Sequence, residues 1–471
     1  MINWRTIRVR CLGEGSRCCA PWRTLAATRF LLLLLVVLSC TAPAQALSQG
    51  AELKGESLLK EVEKRAFQFF WEQTDPITGL TKDRAHNTGD PDNYTVASTA
   101  GTGYALASLP IGVKNGWIER GRAYTRALTT LRFVKSHLTS THGWYYHFVD
   151  IHSGERVWNC EASTIDTTLL VEGALIAGRF WHGTEVERVA NELNDQLDWD
   201  WMRTDGGASA SKLLVCMGWT PESGFLKNNW DRYCELLQLY LLGLGSSTHP
   251  LPAASWTAWQ RNPITYHGMD TLAGGPIFFH EMSHGFFNFK GYRDTDGWDY
   301  WISARNGVLI NRQYCIDLSV SSPDSNRKSA YGANLWGINA NDAPPPIGYH
   351  AYSAPGDEDG TLSPTGAIAA IIVAPTEATA ATDTLYLTLK DRCWGKYGFG
   401  DAFNLSRNWF DSDVLGIDLG MAMLSIEDAR TGLPWKLLSA HPGVARAWKA
   451  AGFHKVTNEK GASALQRTGV P

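Results

Sequence analysis

Residues 280–284 read His-Glu-Met-Ser-His, a literal H-E-x-x-H. On a helix that spacing sets two imidazoles one turn apart on one face. The glutamate between them could then serve as base for a zinc-bound water. A zinc site of this kind needs a third protein ligand. The extended form H-E-x-x-H-x-x-G-x-x-H fails, because Phe287 stands at the glycine position and Lys290 at the last histidine position. The next glutamate after Glu281 is Glu358, in an irregular stretch, and Asp294, Asp296 and Asp299 open another helix. A zinc peptidase therefore stays an alternative only. His280 and Glu281 are expected to face substrate or water, with no metal between His280 and His284.

Carboxylates beside aromatic residues offer a second chemistry. Glycoside hydrolysis needs one protonated carboxyl as general acid and one ionised carboxylate as base or nucleophile. Glu222 lies between Trp219 and Phe225 in a loop. An apolar surround raises a carboxyl pKa, so Glu222 is the expected acid. Glu161 and Asp166 bracket a helix start with Ser163 or Thr164 as cap, where the helix dipole also favours carboxylates. The run 397–418 carries Asp401, Asp411, Asp413 and Asp418 among several aromatics, more than capping requires. Asp401 is the leading candidate base and Asp413 the second. The Asp357-Glu358-Asp359-Gly360 segment reads as a turn. No P-loop, dinucleotide fingerprint or G-x-S-x-G occurs.

The compositional outlier is tryptophan, with 20 residues. Flat aromatic faces stack on the C–H faces of sugars while their polar edges stay wet. Clusters at 144–146, 199–201, 256–259 and 298–301 exceed what a core usually asks for. Arg84, Trp144, Trp219, His280, Glu281, Trp336 and Trp409 are the candidate substrate contacts.

These residues must be held by helices. Leu58, Leu59, Val62, Ala66, Phe69 and Phe70 recur at helical spacing within 52–74. Further helical segments are read at 95–109 (ended by Pro110 and Gly112), 118–138, 162–180, 185–198, 230–244, 252–261, 276–288 and 294–316. The series closes with 364–373, 376–394, 416–430 and 441–451. Residues 142–160 read as a short hairpin or loop, and 317–364 as a long loop of functional length. About a dozen helices in sequential pairs, with almost no strand signal, predict an all-α (α/α)6 toroid with long rim loops.

The first 46 residues have the form of a signal peptide: arginines, the apolar run 30–38, and an Ala44-Gln45-Ala46 cleavage site, with Cys40 as a possible lipid anchor. Residues 47–471 then form one domain. Six arginines and Glu14 lie in the leader, leaving 37 basic against 46 acidic residues, a net charge of about −9. That charge disfavours nucleic acid and anionic membranes as partners. An exported monomer, periplasmic or outer-membrane-associated, is expected. The five remaining cysteines (160, 216, 234, 315, 393) have no C-x-x-C pair and read as buried thiols, with at most one or two bridges.

Six segments carry a resemblance: Ala100–Val113, Trp158–Asp166, Gly275–Gly291, Tyr331–Gly337, Asp359–Ala367 and Trp394–Asp418. In this order they resemble the glucoamylase-like domain shared by bacterial endo-β-1,2-glucanases and part of cyclic β-1,2-glucan synthases. The resemblance covers nearly all of 58–453. It implies an (α/α)6 toroid with a glucan cleft and inverting hydrolysis of β-1,2-glucan to sophoro-oligosaccharides, without cofactor or metal. It also implies acid catalysts near Glu222 and Glu161–Asp166, and a base in the C-terminal loop. Two positions depart from it: Glu281, where the family segment has glutamine, and Asp418-Leu-Gly420-Met, where the family often has Gln-Gly-Pro after Ile-Asp. Exo action on the same glucan and a non-catalytic glucan-binding lipoprotein remain the alternatives.

Overall fold

The computed structural model describes residues 53–456 and Leu465. The expected leader and its Cys40 lie outside these residues. The helices run α1 (Glu56–Glu72), α2 (Thr99–Lys114), α3 (Arg120–His137), α4 (Thr164–Phe180), α5 (Glu185–Asp195), α6 (Trp199–Arg203), α7 (Leu236–Leu244) and α8 (Ala254–Ala258). They continue with α9 (Tyr300–Ser321), α10 (Ser325–Lys328), α11 (Pro364–Ala369), α12 (Pro375–Cys393), α13 (Gly416–Arg430), α14 (Leu433–Ser439) and α15 (Pro442–Ala450).

Two kinds of helix follow from two kinds of sequence. In α2, α4, α7, α11 and α13 nearly every residue is buried, and apolar or small residues run continuously. A helix apolar all round must lie inside. In α5 only Val186, Val189, Ala190, Leu193 and Asn194 are buried, one stripe of an amphipathic surface helix.

Packing closes the inner set into a ring. α2 lies on α4, α4 on α7, and α7 on the 3-10 turn Met282–Gly285; Ile277–His280 reaches α11, α11 meets α13, and α13 returns to α2. Outside it, α1 covers α13 and α2, α3 covers α2, α5 covers α4, α9 covers Ile277–His280, α12 covers α11 and α15 covers α7. The fold is the expected helical toroid.

The closest inner contact depends on glycine. A Cβ on Gly173 would stand 1.9 Å from the Gly103 carbonyl oxygen, and one on Gly103 would stand 2.3 Å from that of Leu169. The backbones of α2 and α4 therefore touch.

Several differences from the sequence reading have local causes. Pro110 sits inside α2 and does not end it. Segment 276–288 is not one α-helix but two 3-10 turns broken at Glu281 (φ −120°, ψ −48°). Short ladders of two or three residues, invisible to a period-2 search, tie the loops together at the mouth of the ring. Residues 96–98 pair with 148–150, 162–163 with 218–220, 361–362 with 403–404, and 413–415 with 84–86. Each leads directly into an inner helix, and three of these helices begin at a serine cap: Ser98, Ser163 and Ser363 accept from the amides of Gly101, Asp166 and Gly366.

Candidate active site

The mouth formed by these helix starts gathers carboxyl groups from distant parts of the chain. One group is His147, Glu161 and Asp166. Asp166 lies in the first turn of α4 and Glu161 just before it. His147 Nδ1 is 3.1 Å from Glu161 Oε1, and Nε2 is 3.3 Å from Asp166 Oδ1. Ser163 Oγ donates to Asp166 Oδ2 at 2.5 Å. Burial disfavours the imidazolium, but Asp166 and Glu161 outweigh it and raise the His147 pKa to about 9. Burial also works against an ionised Glu161, yet the hydrogen bond and charge of His147 hold its pKa below the usual carboxylate range. Burial leaves Asp166 raised. Gly218 lies under Glu161, where a Cβ would be 2.8 Å from its Cγ.

The second group comes from two loops and α13. Asp342, Asp401 and Asp411 bring carboxylate oxygens within 4.8 Å of one another. The Asp342 amide donates to Asp401 Oδ2 at 2.8 Å. Arg84 Nη1 donates to Asp342 Oδ2 at 2.6 Å and stands 3.7 Å from Asp413 Oδ2, which His86 also approaches through Oδ1 at 2.6 Å. Burial and the charges of Asp418 and Asp342 push Asp401 well above its ordinary pKa. Burial likewise raises Asp411 and Asp418, each to about 7. The carboxyls of this cluster therefore disfavour one another's ionisation and titrate as a set. Asp83, itself raised by burial, feels the charge of His147 in the first group and acts on Asp418 in the second.

Glu235 is the third component. It stands at the N-terminal boundary of α7 without a side-chain capping hydrogen bond, is half-buried, and has one carboxylate oxygen with no hydrogen-bond partner. Burial, with a contribution from the charge of Asp166, raises its pKa to about 7. Ser283 Oγ donates to its carbonyl oxygen at 2.9 Å and fixes the helix start.

Arg84, Glu161, Asp166, Asp401 and Asp413 are therefore brought together at the mouth. Other expected residues are not. Glu222 is 56% exposed at its side chain and grips Arg156 through both oxygens, at 2.7 and 3.0 Å. The hydrogen bond to Arg156 lowers its pKa, the opposite of what an acid requires. Asp401 is only 2% exposed, and burial with the charges of Asp418 and Asp342 disfavours its ionised form, which fits poorly with a lone water-activating base. Trp144 is a core residue, edge-on to Trp199 at 4.8 Å with its indole N–H on the Asp198 carbonyl, and Trp336 is equally buried. Trp219 and Trp409 are half-buried.

His280, Glu281 and His284 also lie inside, not on substrate or water. The broken backbone gives the two imidazoles different neighbours, although they still feel each other's charge. His280 packs on Tyr233 (5.7 Å) and over Gly307, whereas His284 stands edge-on to Phe289 (5.0 Å) and Trp301 (5.8 Å). Burial lowers them to about 4 and about 3. Neither belongs to a group of three converging ligand atoms among the described residues.

Glu235, Asp83 and Asp342 escaped sequence reasoning. Glu235 had one signal: it is the only charged residue at the head of the apolar run 236–244. Asp83 and Asp342 had none beyond lying in loops.

The described residues thus form a helical toroid with carboxyl groups gathered at one mouth. Residues 227–442 match the Glycoamylase family model, described as "Putative glucoamylase", which bears out the resemblance read from the motifs. The chain is similar, at 24% identity over 83% of its length, to an exo β-1,2-glucooligosaccharide sophorohydrolase (non-reducing end) of Parabacteroides distasonis. It spans 57% of that relative's length. An endo-β-1,2-glucanase from Chitinophaga pinensis, solved with sophorotriose and glucose, superposes with a TM-score of 0.77 at 26% identity, covering 86% of this chain and 99% of that one. A "putative glucoamylase" from Bacteroides uniformis gives 0.77 at 28% identity, covering 86% and 98%.

Proposed function

We propose that this protein is an inverting glycoside hydrolase that cleaves β-1,2-glucan to sophoro-oligosaccharides. The observation that carries the reading is Glu235. It is a half-buried carboxyl at the start of α7, with one buried oxygen that has no hydrogen-bond partner, raised to about 7 by burial and by the charge of Asp166. Glu235 protonates the leaving oxygen. A water on the other side of the sugar gives its proton to the Asp342–Asp401–Asp411–Asp418 cluster, through Asp411, its half-buried member raised to about 7. Glu161, ionised beside His147, together with Arg84 orients sugar hydroxyls. The similarity to β-1,2-glucan hydrolases of both endo and exo type supports the substrate class.

The test is incubation with linear β-1,2-glucan, with and without chelator, following reducing ends and the anomer first released. Release insensitive to chelator, with the α-anomer appearing first, is the expected result. Loss of activity in chelator would favour a metal enzyme, and binding without release a glucan-binding protein. A ladder of products marks endo action and a single product exo action.

A further inference from the structure

Two aromatic side chains among the described residues are mainly exposed: Trp158 at 58% and Tyr349 at 55%. Every other described Trp, Tyr and Phe is buried or half-buried. Both exposed rings lie beside the active-site carboxyls, on opposite groups.

Trp158 leads inward to the first group. Its ring is edge-on to Phe148 at 5.0 Å, and Phe148 stacks on His147 at 3.9 Å. The backbone around it is costly. Trp158 and Asn159 both have left-handed φ, 56° and 51°, which a bulky residue rarely adopts. Arg156 holds this loop shut. Its Nε donates to the Cys160 carbonyl at 2.5 Å and its Nη2 to the Asn159 carbonyl at 2.6 Å, while Glu222 clamps the guanidinium from the far side. The indole thus stays exposed on a strained, braced loop, in contact with Phe148 along one edge.

Tyr349 stands at the second group. It follows Gly348 (φ 73°) at the tip of the hairpin formed by Ala340–Asn341 and His350–Ala351. The other arm of that hairpin carries Asp342, gripped by Arg84. The phenol lies within electrostatic reach of Asp418, Asp401, Asp83 and Asp342.

We propose that Trp158 and Tyr349 are glucosyl-stacking platforms that bracket the carboxyls, and that Glu222 and Arg156 are positioning residues that hold Trp158 in place. This rests on the glucan reading above. It also gives Glu222 a mechanical role in place of the acid role.

The test uses the full chain, with binding of sophorose and of longer sophoro-oligosaccharides followed by calorimetry and by tryptophan fluorescence. Trp158→Ala and Tyr349→Ala should each weaken long-chain binding roughly three- to tenfold while changing sophorose binding by one of the platforms only. Trp158→Phe should restore most of the loss. Glu222→Gln should raise KM like a mild Trp158→Ala and leave kcat within about twofold. Unchanged long-chain affinity and KM in Trp158→Ala, with its melting temperature retained, overturns the platform. A large kcat loss in Glu222→Gln overturns the brace and restores the acid role. If the unsubstituted chain binds no β-1,2-linked oligosaccharide, the glucan reading itself is what fails.

Discussion

Glu235 and Asp411 have pKa values raised to the same neighbourhood, about 7, by burial. In the proposed mechanism one must be protonated and the other ionised. Activity therefore falls as pH rises through about 7, when Glu235 loses its proton, and falls again below about 7, when Asp411 gains one. The expected kcat/KM profile is a narrow bell centred near neutrality, and a broad plateau from pH 5 to 9 would exclude this pair. Glu235→Gln and Asp411→Asn should each lower kcat roughly 10²–10⁴-fold with the fold retained. His147 supplies a second check at this scale. Its pKa, about 9, lies above the value of a free imidazole. The stability it contributes is complete below pH ~6.5 and is lost as pH rises through about 9. Its NMR titration should have a midpoint near 9, and a midpoint below 7 would remove the proton bridge between Glu161 and Asp166. The site was only partly legible from the chain. Glu161, Asp166, Asp401 and Asp413 stand out locally as carboxylates beside aromatics. Glu222 stood out for the same reason, and its partner Arg156, 66 residues away, reverses its chemistry. No local pattern discloses such a pairing.

At the level of elements, periodicity located the helices because amphipathic stripes and continuous apolar runs are both sequence features. Segment 276–288 misled, since Pro276 suits a first helical position and the His280–His284 spacing suits one helix face. What breaks it is a backbone kink at Glu281. The α2–α4 contact depends on two missing side chains. Gly173→Ala puts a methyl group 1.9 Å from the Gly103 carbonyl oxygen, and no rotamer relieves a clash between Cβ and backbone. A loss of at least ~1–3 kcal/mol is expected, the usual cost of overpacking, read as a lower denaturation midpoint. Wild-type stability in that variant would mean the two helices can separate freely.

Across the whole molecule, the ring is closed by α13 on α2, with α1 laid over both. The outer helix nearest the N-terminus thus covers the seam where the last inner helix meets the first. Deleting residues 53–73 should uncover that seam and yield an aggregating or dye-binding species. A soluble variant with an unchanged circular-dichroism spectrum would show that the seam needs no cover. The closed architecture could be anticipated from the number and pairing of helices. Which loops converge at the mouth could not, because that depends on contacts such as Arg84 with Asp342, 258 residues apart.

The short ladders at the mouth divide labour between scaffold and loops. The inner helices lock one another by glycine contact and serine caps, while the loops are stitched to their starts by two or three residue pairs each. Such an arrangement lends itself to loop exchange. The tips of these loops, residues 152–159 and 345–349, can be swapped for longer or shorter versions that keep the ladder residues, the buried Trp144 and Tyr145, and the site residues His147, Glu161 and Asp342. Product length would then become a property transplanted with a loop, separable from the thermal stability of the barrel that carries it.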